Sequence, residues 1–324
     1  MTGNMLIAQS GGPSMVINQS LVGAVLAAKA SSKIVEIYGA LHGIQGILDE
    51  AFIDLRAEPE EVLLRVAQTP SSALGSVRRK PTPDDCRAIF DVLARRNVRY
   101  FFYIGGNDSA ETANIIAEEA GRQGYDLRCF HIPKTIDNDL LCNDHTPGYG
   151  SAARFVACAV RGDDLDNRAL GGVKIDVIMG RNAGFLTAAA ALARQDPDDG
   201  PHLLYFPERP FTVDRFVADV SECMTRYGRC VVAVSEGICG PDGRPIAEAF
   251  STEVDAHGNR QLTSGALGEQ LAAVIRQRLK VSRVRADTFG FIQRCFVGCV
   301  SETDANEARL AGSYAVTAAV GGKY

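Results

Sequence analysis

Two loops in this chain place carboxylates, a cation, hydroxyls and glycine amides close together in sequence: Gly105-Gly106-Asn107-Asp108-Ser109 and Pro133-Lys134-Thr135-Ile136-Asp137-Asn138-Asp139. Each follows an apolar run, and their separation suits one βαβ unit, so both belong at the same edge of a parallel sheet. Taken singly, Asp108 could be a helix cap with Glu111 completing a capping box. Asp137 and Asp139 could likewise be the solvated acids of an Asx-type turn. A third loop, Ser10-Gly11-Gly12-Pro13-Ser14, leads from a strand into a helix with Asn18 and Gln19 near its start. Glycine amides beside a helix amino terminus make an anion cradle, although the same residues would serve in a tight turn without a ligand. The glycine spacing is not that of a dinucleotide fold, so NAD is not indicated.

Gly75-Ser76-Val77-Arg78-Arg79-Lys80 sets three adjacent cations after a glycine, a pattern suited to gripping phosphate, with a surface turn as the alternative. In Met179-Gly180-Arg181-Asn182-Ala183-Gly184, Arg181 stands where a helix amino terminus is expected, which opposes the helix dipole unless an anion shares the site. No Ser/His/Asp or Cys/His nucleophile set accompanies these loops, and none of the five histidines sits in a strong motif. Carboxylates, cations and phosphate-binding amides without a nucleophile point to direct phosphoryl transfer between two bound substrates, which needs positioning and charge neutralisation.

The elements that must hold these loops are apolar runs alternating with helical stretches. Met5-Leu6-Ile7-Ala8, Ile34 to Tyr38, Tyr100 to Ile104 and Cys129 to Ile132 read as strands of one lobe, and Ile175 to Met179, Leu203 to Phe206 and Cys230 to Val234 as strands of another, with a helix over Ala183 to Arg194. The expectation is an α/β protein of two doubly wound, Rossmann-like lobes with mostly parallel sheets, divided near Gly148. A chain of 324 residues is long enough for two such lobes, each with its own core. The formal charge of −5 excludes a globally basic nucleic-acid binder and leaves room for a local cationic pocket. No apolar run reaches the length of a bilayer crossing and the first residues lack a secretory pattern, so no membrane association and a cytoplasmic address are expected. Nine scattered cysteines without a Cys-x-x-Cys pair are expected to be free thiols.

Over nearly the whole chain, these motifs resemble the phosphofructokinase family in order and spacing, together with Pro207-Glu208, Ser235-Glu236-Gly237 and Gly290-Phe291-Ile292-Gln293-Arg294. The resemblance implies a donor lobe of residues 1–148 plus 294–324 and a sugar-phosphate lobe of residues 149–293. It implies that Asp137, with Thr135 beside it, takes the proton from the C1 hydroxyl of fructose 6-phosphate, and that Arg78 lies along the phosphates being parted. Gly11, Gly12, Asp108, Ser109 and Lys134 are then expected on the donor. Met179, Gly180, Arg181, Glu236, Arg285, Phe291 and Arg294 join Thr135 and Asp137 on the sugar phosphate, with Arg285 offered across the interface of a homo-oligomer, a dimer or tetramer. Magnesium is implied as cofactor, with Asn107, Asp108 and Asp139 as its ligands.

Where ATP-using relatives resemble glycine at both donor positions, this chain has Asp108 and Lys134. The aspartate adds bulk and charge where an α-phosphate would lie and the lysine suits compact pyrophosphate, so the sequence resembles the pyrophosphate-dependent branch. The alternatives are an ATP-dependent phosphofructokinase, a non-catalytic sugar-phosphate-binding homologue, and the NAD-kinase or lipid-kinase group, which lacks the Pro-x-Thr-Ile-Asp-Asn-Asp match. Asn107 stands where the family commonly has an acid, which shifts metal duty towards Asp139. Phe291 replaces a histidine or tyrosine, and Gly172 an arginine for which Lys174 is the substitute, which opens sedoheptulose 7-phosphate as an alternative sugar. The end at Gly321-Gly322-Lys323-Tyr324 falls before a further strand and helix that the family continues with.

Overall fold

β1 (Gly3–Gln9) is apolar on both faces because it is the middle strand of a sheet covered on both sides. The structure, a computed structural model of the chain, describes residues 1–79, 81–249 and 266–322; Lys80, the third of the adjacent cations, and Lys323-Tyr324 lie outside the described residues. Along the chain follow α1 (Ile17–Lys29), β2 (Ile34–Ala40), α2 (Ile44–Leu48), β3 (Phe52–Asp54), α3 (Glu60–Ala67), α4 (Pro83–Arg95), β4 (Val98–Gly105), α5 (Asn107–Arg122) and β5 (Arg128–Pro133). The strand order is β3-β2-β1-β4-β5, with β3 antiparallel to β2 and every other pair parallel.

Side chains alternate across β1. Met5 and Ile7 enter one core with Ile17, Leu21 and Val25 of α1, while Leu6 and Ala8 enter the other with Ile89 and Leu93 of α4 and Ile116 of α5. Each such Met, Leu, Ile or Val side chain taken out of water contributes about 1.5–3 kcal/mol. The register pairs Gln9 with Ile104 and Gly105 with Pro133, so β1, β4 and β5 end level with one another. They are followed by Ser10–Gly12, by Gly106 and the first turn of α5, and by the stretch beginning at Lys134, the three segments that carry the sequence motifs.

The chain continues through α6 (Tyr149–Leu170), β6 (Gly172–Ile178), α7 (Phe185–Ala189), β7 (Leu203–Tyr205), α8 (Val213–Tyr227), β8 (Arg229–Ser235), α9 (Ala266–Leu279), β9 (Val284–Thr288) and α10 (Glu302–Gly321). It divides into two compact units: Met1–Ile136 with Leu140–Ser151 and Arg294–Tyr324, and Asp137–Asp139 with Ala152–Gln293. In the first unit, Arg309 of α10 donates to Gln19 of α1 at 2.9 Å. The second unit is built on an all-parallel sheet in the order β7-β8-β6-β9. Val173, Ile175 and Val177 pack with Phe216 and Val220 of α8 and Leu271 and Ile275 of α9. The helix expected over Ala183 to Arg194 is shorter than its alanine content suggests: α7 stops at Ala189 and the chain tightens into a 3₁₀ turn over Ala190–Ala193.

One buried ionic network fixes the second unit. Asp164, with no exposed surface, accepts from Arg229 at 2.5 Å, from the Gly200 amide at 2.8 Å and from Arg168 at 3.3 Å. Burial works against ionisation of Asp164, but these donors outweigh it and hold the carboxyl below its ordinary value. Asp164→Ala leaves buried Arg229 without its carboxylate, with only Asn167 and the Asp198 carbonyl as acceptors, and is expected to cost about 3–5 kcal/mol in urea unfolding. A depressed carboxyl contributes stability above its unfolded value of 3.8 and loses it as pH falls through the folded one, so the variant should also lose part of the wild-type acid sensitivity below that pH. A loss under about 1 kcal/mol would show that the network does not hold the unit together.

Candidate active site

The Ser10–Gly12 loop turns because Gly11 takes φ +74°, a left-handed conformation that side-chain-bearing residues rarely adopt. A Cβ at Gly11 would lie 3.2 Å from the Lys134 Nζ, and one at Gly12 would lie 3.1 Å from the Arg294 guanidinium carbon. Two cations therefore approach one glycine loop closely enough that a Cβ at Gly11 or Gly12 would crowd them. Lys134, only 4% exposed, donates through Nζ to the Gly12 carbonyl at 2.5 Å. The Ser10 and Ser109 hydroxyls share a hydrogen bond at 2.8 Å, and Ser76 Oγ donates to the Gly11 carbonyl at 2.5 Å. The Gly11 amide is directed at the Val77 carbonyl at 3.4 Å, so of the expected glycine amides this one already has an acceptor.

Gly106, which has no side chain, is the N-cap of α5, so the cap residue makes no side-chain hydrogen bond to that end. Asp108, read from sequence as a candidate cap, instead lies exposed in the first helical turn beside exposed Asn107. A sixteen-residue helix thus begins on a glycine at the sheet edge that carries Gly11, Gly12 and Lys134. Backbone N–H groups and the helix dipole there favour an anion.

Of the adjacent cations, Arg79 is committed elsewhere. It bonds Gln45 at 2.6 Å and Asp85 at 2.7 Å, supporting the start of α4, while Arg78 is exposed and has no ion pair among the described residues. Past β5, Lys134 and Thr135 are held by backbone bonds to Gly105 O at 2.9 Å and Pro147 O at 3.3 Å. The neighbouring Gly148 amide donates to the buried carboxylate of Asp304 at 2.8 Å. Asn138 bends the loop with φ 59°, a conformation asparagine tolerates, and leaves half-buried Asp137 and Asp139 on either side of it.

The second unit holds the other residues singled out by sequence. Met179 is buried, and its amide donates to Gln293 at 3.4 Å. Ser235 Oγ donates to the Gly180 carbonyl at 2.6 Å, and the amide of buried Glu236 donates to Ile178 O at 2.8 Å. Arg181 is exposed and precedes α7 by several residues; α7 has only five residues, so the expected conflict with a helix dipole does not arise. Arg285 is exposed on edge strand β9, and Phe291 is 56% exposed. Lys174, the substitute phosphate cation, already pairs with Asp163 at 3.2 Å and with Asp287, which neutralises it.

Among the described residues, two tight groups could gather a metal: Asp163, Asp176 and Asp287, and His202, Cys223 and Cys230. In the first, Lys174 is the cation. Burial and then Asp163 push the Asp176 carboxyl well above its usual value, which works against its carrying the charge a metal ligand needs. In the second, His202 Nδ1 already accepts from the Val231 amide at 2.9 Å. Neither group includes a residue of the motif loops. Asn107, Asp108 and Asp139 offer hard oxygens from exposed or half-buried positions, which fits magnesium arriving with a phosphate ligand rather than a closed all-protein cage.

The sequence profile of the phosphofructokinase family matches residues 4–319. A pyrophosphate–fructose 6-phosphate 1-phosphotransferase of Rhodospirillum rubrum is 56% identical over 324 residues, covering 99% of this chain and 80% of the relative. One from Xanthomonas campestris is 40% identical over 331 residues, covering 99% and 77%. The crystal structure of a pyrophosphate-dependent phosphofructokinase from Marinobacter aquaeolei superposes with a TM-score of 0.86 at 33% identity, covering 99% of this chain and 76% of that one. With a family match across almost its whole length and relatives this similar, the chain belongs to the phosphofructokinase family.

Proposed function

We propose that this protein transfers a phosphoryl group from pyrophosphate to the C1 hydroxyl of fructose 6-phosphate, giving fructose 1,6-bisphosphate and phosphate in a reversible reaction that serves glycolysis and gluconeogenesis. The observation that carries the donor assignment is Lys134, whose ammonium lies over the Gly11–Gly12 loop at a sheet edge where α5 also begins, on Gly106. A compact dianionic phosphate pair is matched there by a point charge and helix amides, whereas a nucleotide needs the room that the lysine fills.

One loop carries cation, hydroxyl and base in sequence as Lys134, Thr135 and Asp137. Asp137 removes the proton from the C1 hydroxyl, the resulting oxygen bonds to the nearer phosphorus in line, the bridging P–O bond breaks and phosphate departs. Thr135 holds the hydroxyl, and Arg78 takes charge from the parting phosphates. Gly11, Gly12 and Ser109 shape the donor loop, and Arg294 faces it at Gly12. Met179, Gly180, Arg181, Glu236 and Phe291 serve the sugar phosphate. Magnesium, when bound, neutralises phosphate charge, with Asn107 and Asp108 supplying oxygen ligands and Asp139 a carboxylate of the same chemistry. Arg285, exposed on an edge strand, is offered to a second copy in a homo-oligomer. Nine free thiols suit a reducing, cytoplasmic setting.

The reverse reaction tests the assignment. Incubated with fructose 1,6-bisphosphate, inorganic phosphate and magnesium but no ADP, the protein is expected to release fructose 6-phosphate and pyrophosphate. Fructose 6-phosphate appearing only when ADP is supplied would overturn it.

A further inference from the structure

His131, on β5, lies outside every motif that the sequence singles out. Its ring nitrogen Nε2 is 2.7 Å from the carbonyl of Gly105, the last residue of β4. A carbonyl only accepts, so His131 carries its proton on Nε2 and donates it. Burial lowers the readiness of this imidazole to take a second proton, the Gly105 and Gly106 carbonyls oppose that effect, and the Lys134 charge adds to it, which favours the neutral donor form. The Lys134 amide donates to the same carbonyl at 2.9 Å, so both donors come from the β5 side.

The consequence lies on the opposite edge of that peptide. In a trans peptide the C=O and the following N–H point in opposite directions. With the Gly105 carbonyl held towards β5, the Gly106 N–H is turned towards β1, because β4 lies between those two strands. The loop after β1 is Ser10–Gly12, over which Lys134 and Arg294 lie. Gly106 is the N-cap of α5, so the angle of this one peptide sets the first amide of the helix amino terminus.

We propose that His131 is a positioning residue for the phosphoryl donor: it does not touch pyrophosphate, but its hydrogen bond to Gly105 turns the Gly106 amide into the site. The proposal rests on the donor assignment made above.

The test compares His131→Ala and His131→Gln with the wild-type full chain, varying pyrophosphate and fructose 6-phosphate separately. Loss of one well-aimed hydrogen bond to phosphate predicts a KM for pyrophosphate about tenfold higher in His131→Ala, with kcat and the sugar KM within about twofold. Glutamine, whose amide N–H can reach the same carbonyl, is expected to bring that KM back to within about threefold of wild type. An unchanged pyrophosphate KM in His131→Ala would overturn the proposal. So would a parallel rise in both KM values, or a lack of rescue by glutamine in a variant that melts like wild type, since these mark a merely structural role. If wild type uses ATP instead, the donor assignment fails, and the His131 proposal is judged separately on whether the KM for ATP shows the same rise and rescue.

Discussion

Asp137→Asn is expected to lower kcat by about three powers of ten while leaving the KM for fructose 6-phosphate within about threefold of wild type. Asparagine keeps the size and most of the hydrogen bonding of the aspartate but cannot accept the hydroxyl proton. The cost therefore falls on the transition state and not on sugar binding. The loop tolerates the change. The bend is carried by Asn138 in its left-handed conformation, and the backbone is anchored by the Thr135–Pro147 bond and by Asp304 on Gly148. Melting within a few degrees of wild type, together with the loss of turnover, assigns the defect to chemistry. Turnover within about tenfold of wild type would remove Asp137 from the role of base.

The second large effect concerns the donor. Replacing Asp108 and Lys134 together with glycine is expected to lower kcat/KM for pyrophosphate at least about a hundredfold, since a charge-assisted hydrogen bond to phosphate is worth about 1.5–3 kcal/mol and the lysine supplies a whole cation. The same change removes the side chain that lies over Gly11 and Gly12 and the carboxylate in the first turn of α5. ATP is expected to bind the double variant measurably by calorimetry, and the wild type much more weakly. Full pyrophosphate activity in the variant, or no ATP binding despite native melting, would mean that other residues set donor choice.

The buried strands were legible because both faces of a central parallel strand must be apolar, as in Met5 to Ala8 and Cys230 to Val234. β3 and β9 were not. β3 is three residues at a sheet edge, and β9, Val284–Thr288, alternates buried with charged positions, so each lacks the continuous apolar run. At the site, residue type alone singled out Lys134 and the acids of the Asp137 loop, whose roles towards a ligand belong to the proposal above. Residue type was less informative where a partner lies far away in sequence. Nothing local to Arg79 shows that Asp85 and Gln45 hold it, and nothing near Arg294 shows that it lies against Gly12. His131 is harder still to find, since its role depends on the direction of one peptide in the adjacent strand.

The most direct test of the donor pocket is the ratio of kcat/KM with pyrophosphate to that with ATP, measured on one preparation at saturating fructose 6-phosphate and magnesium. A lysine over the glycine loop and an acid at the start of α5 predict a ratio of at least about a thousand. A ratio at or below one would contradict the account.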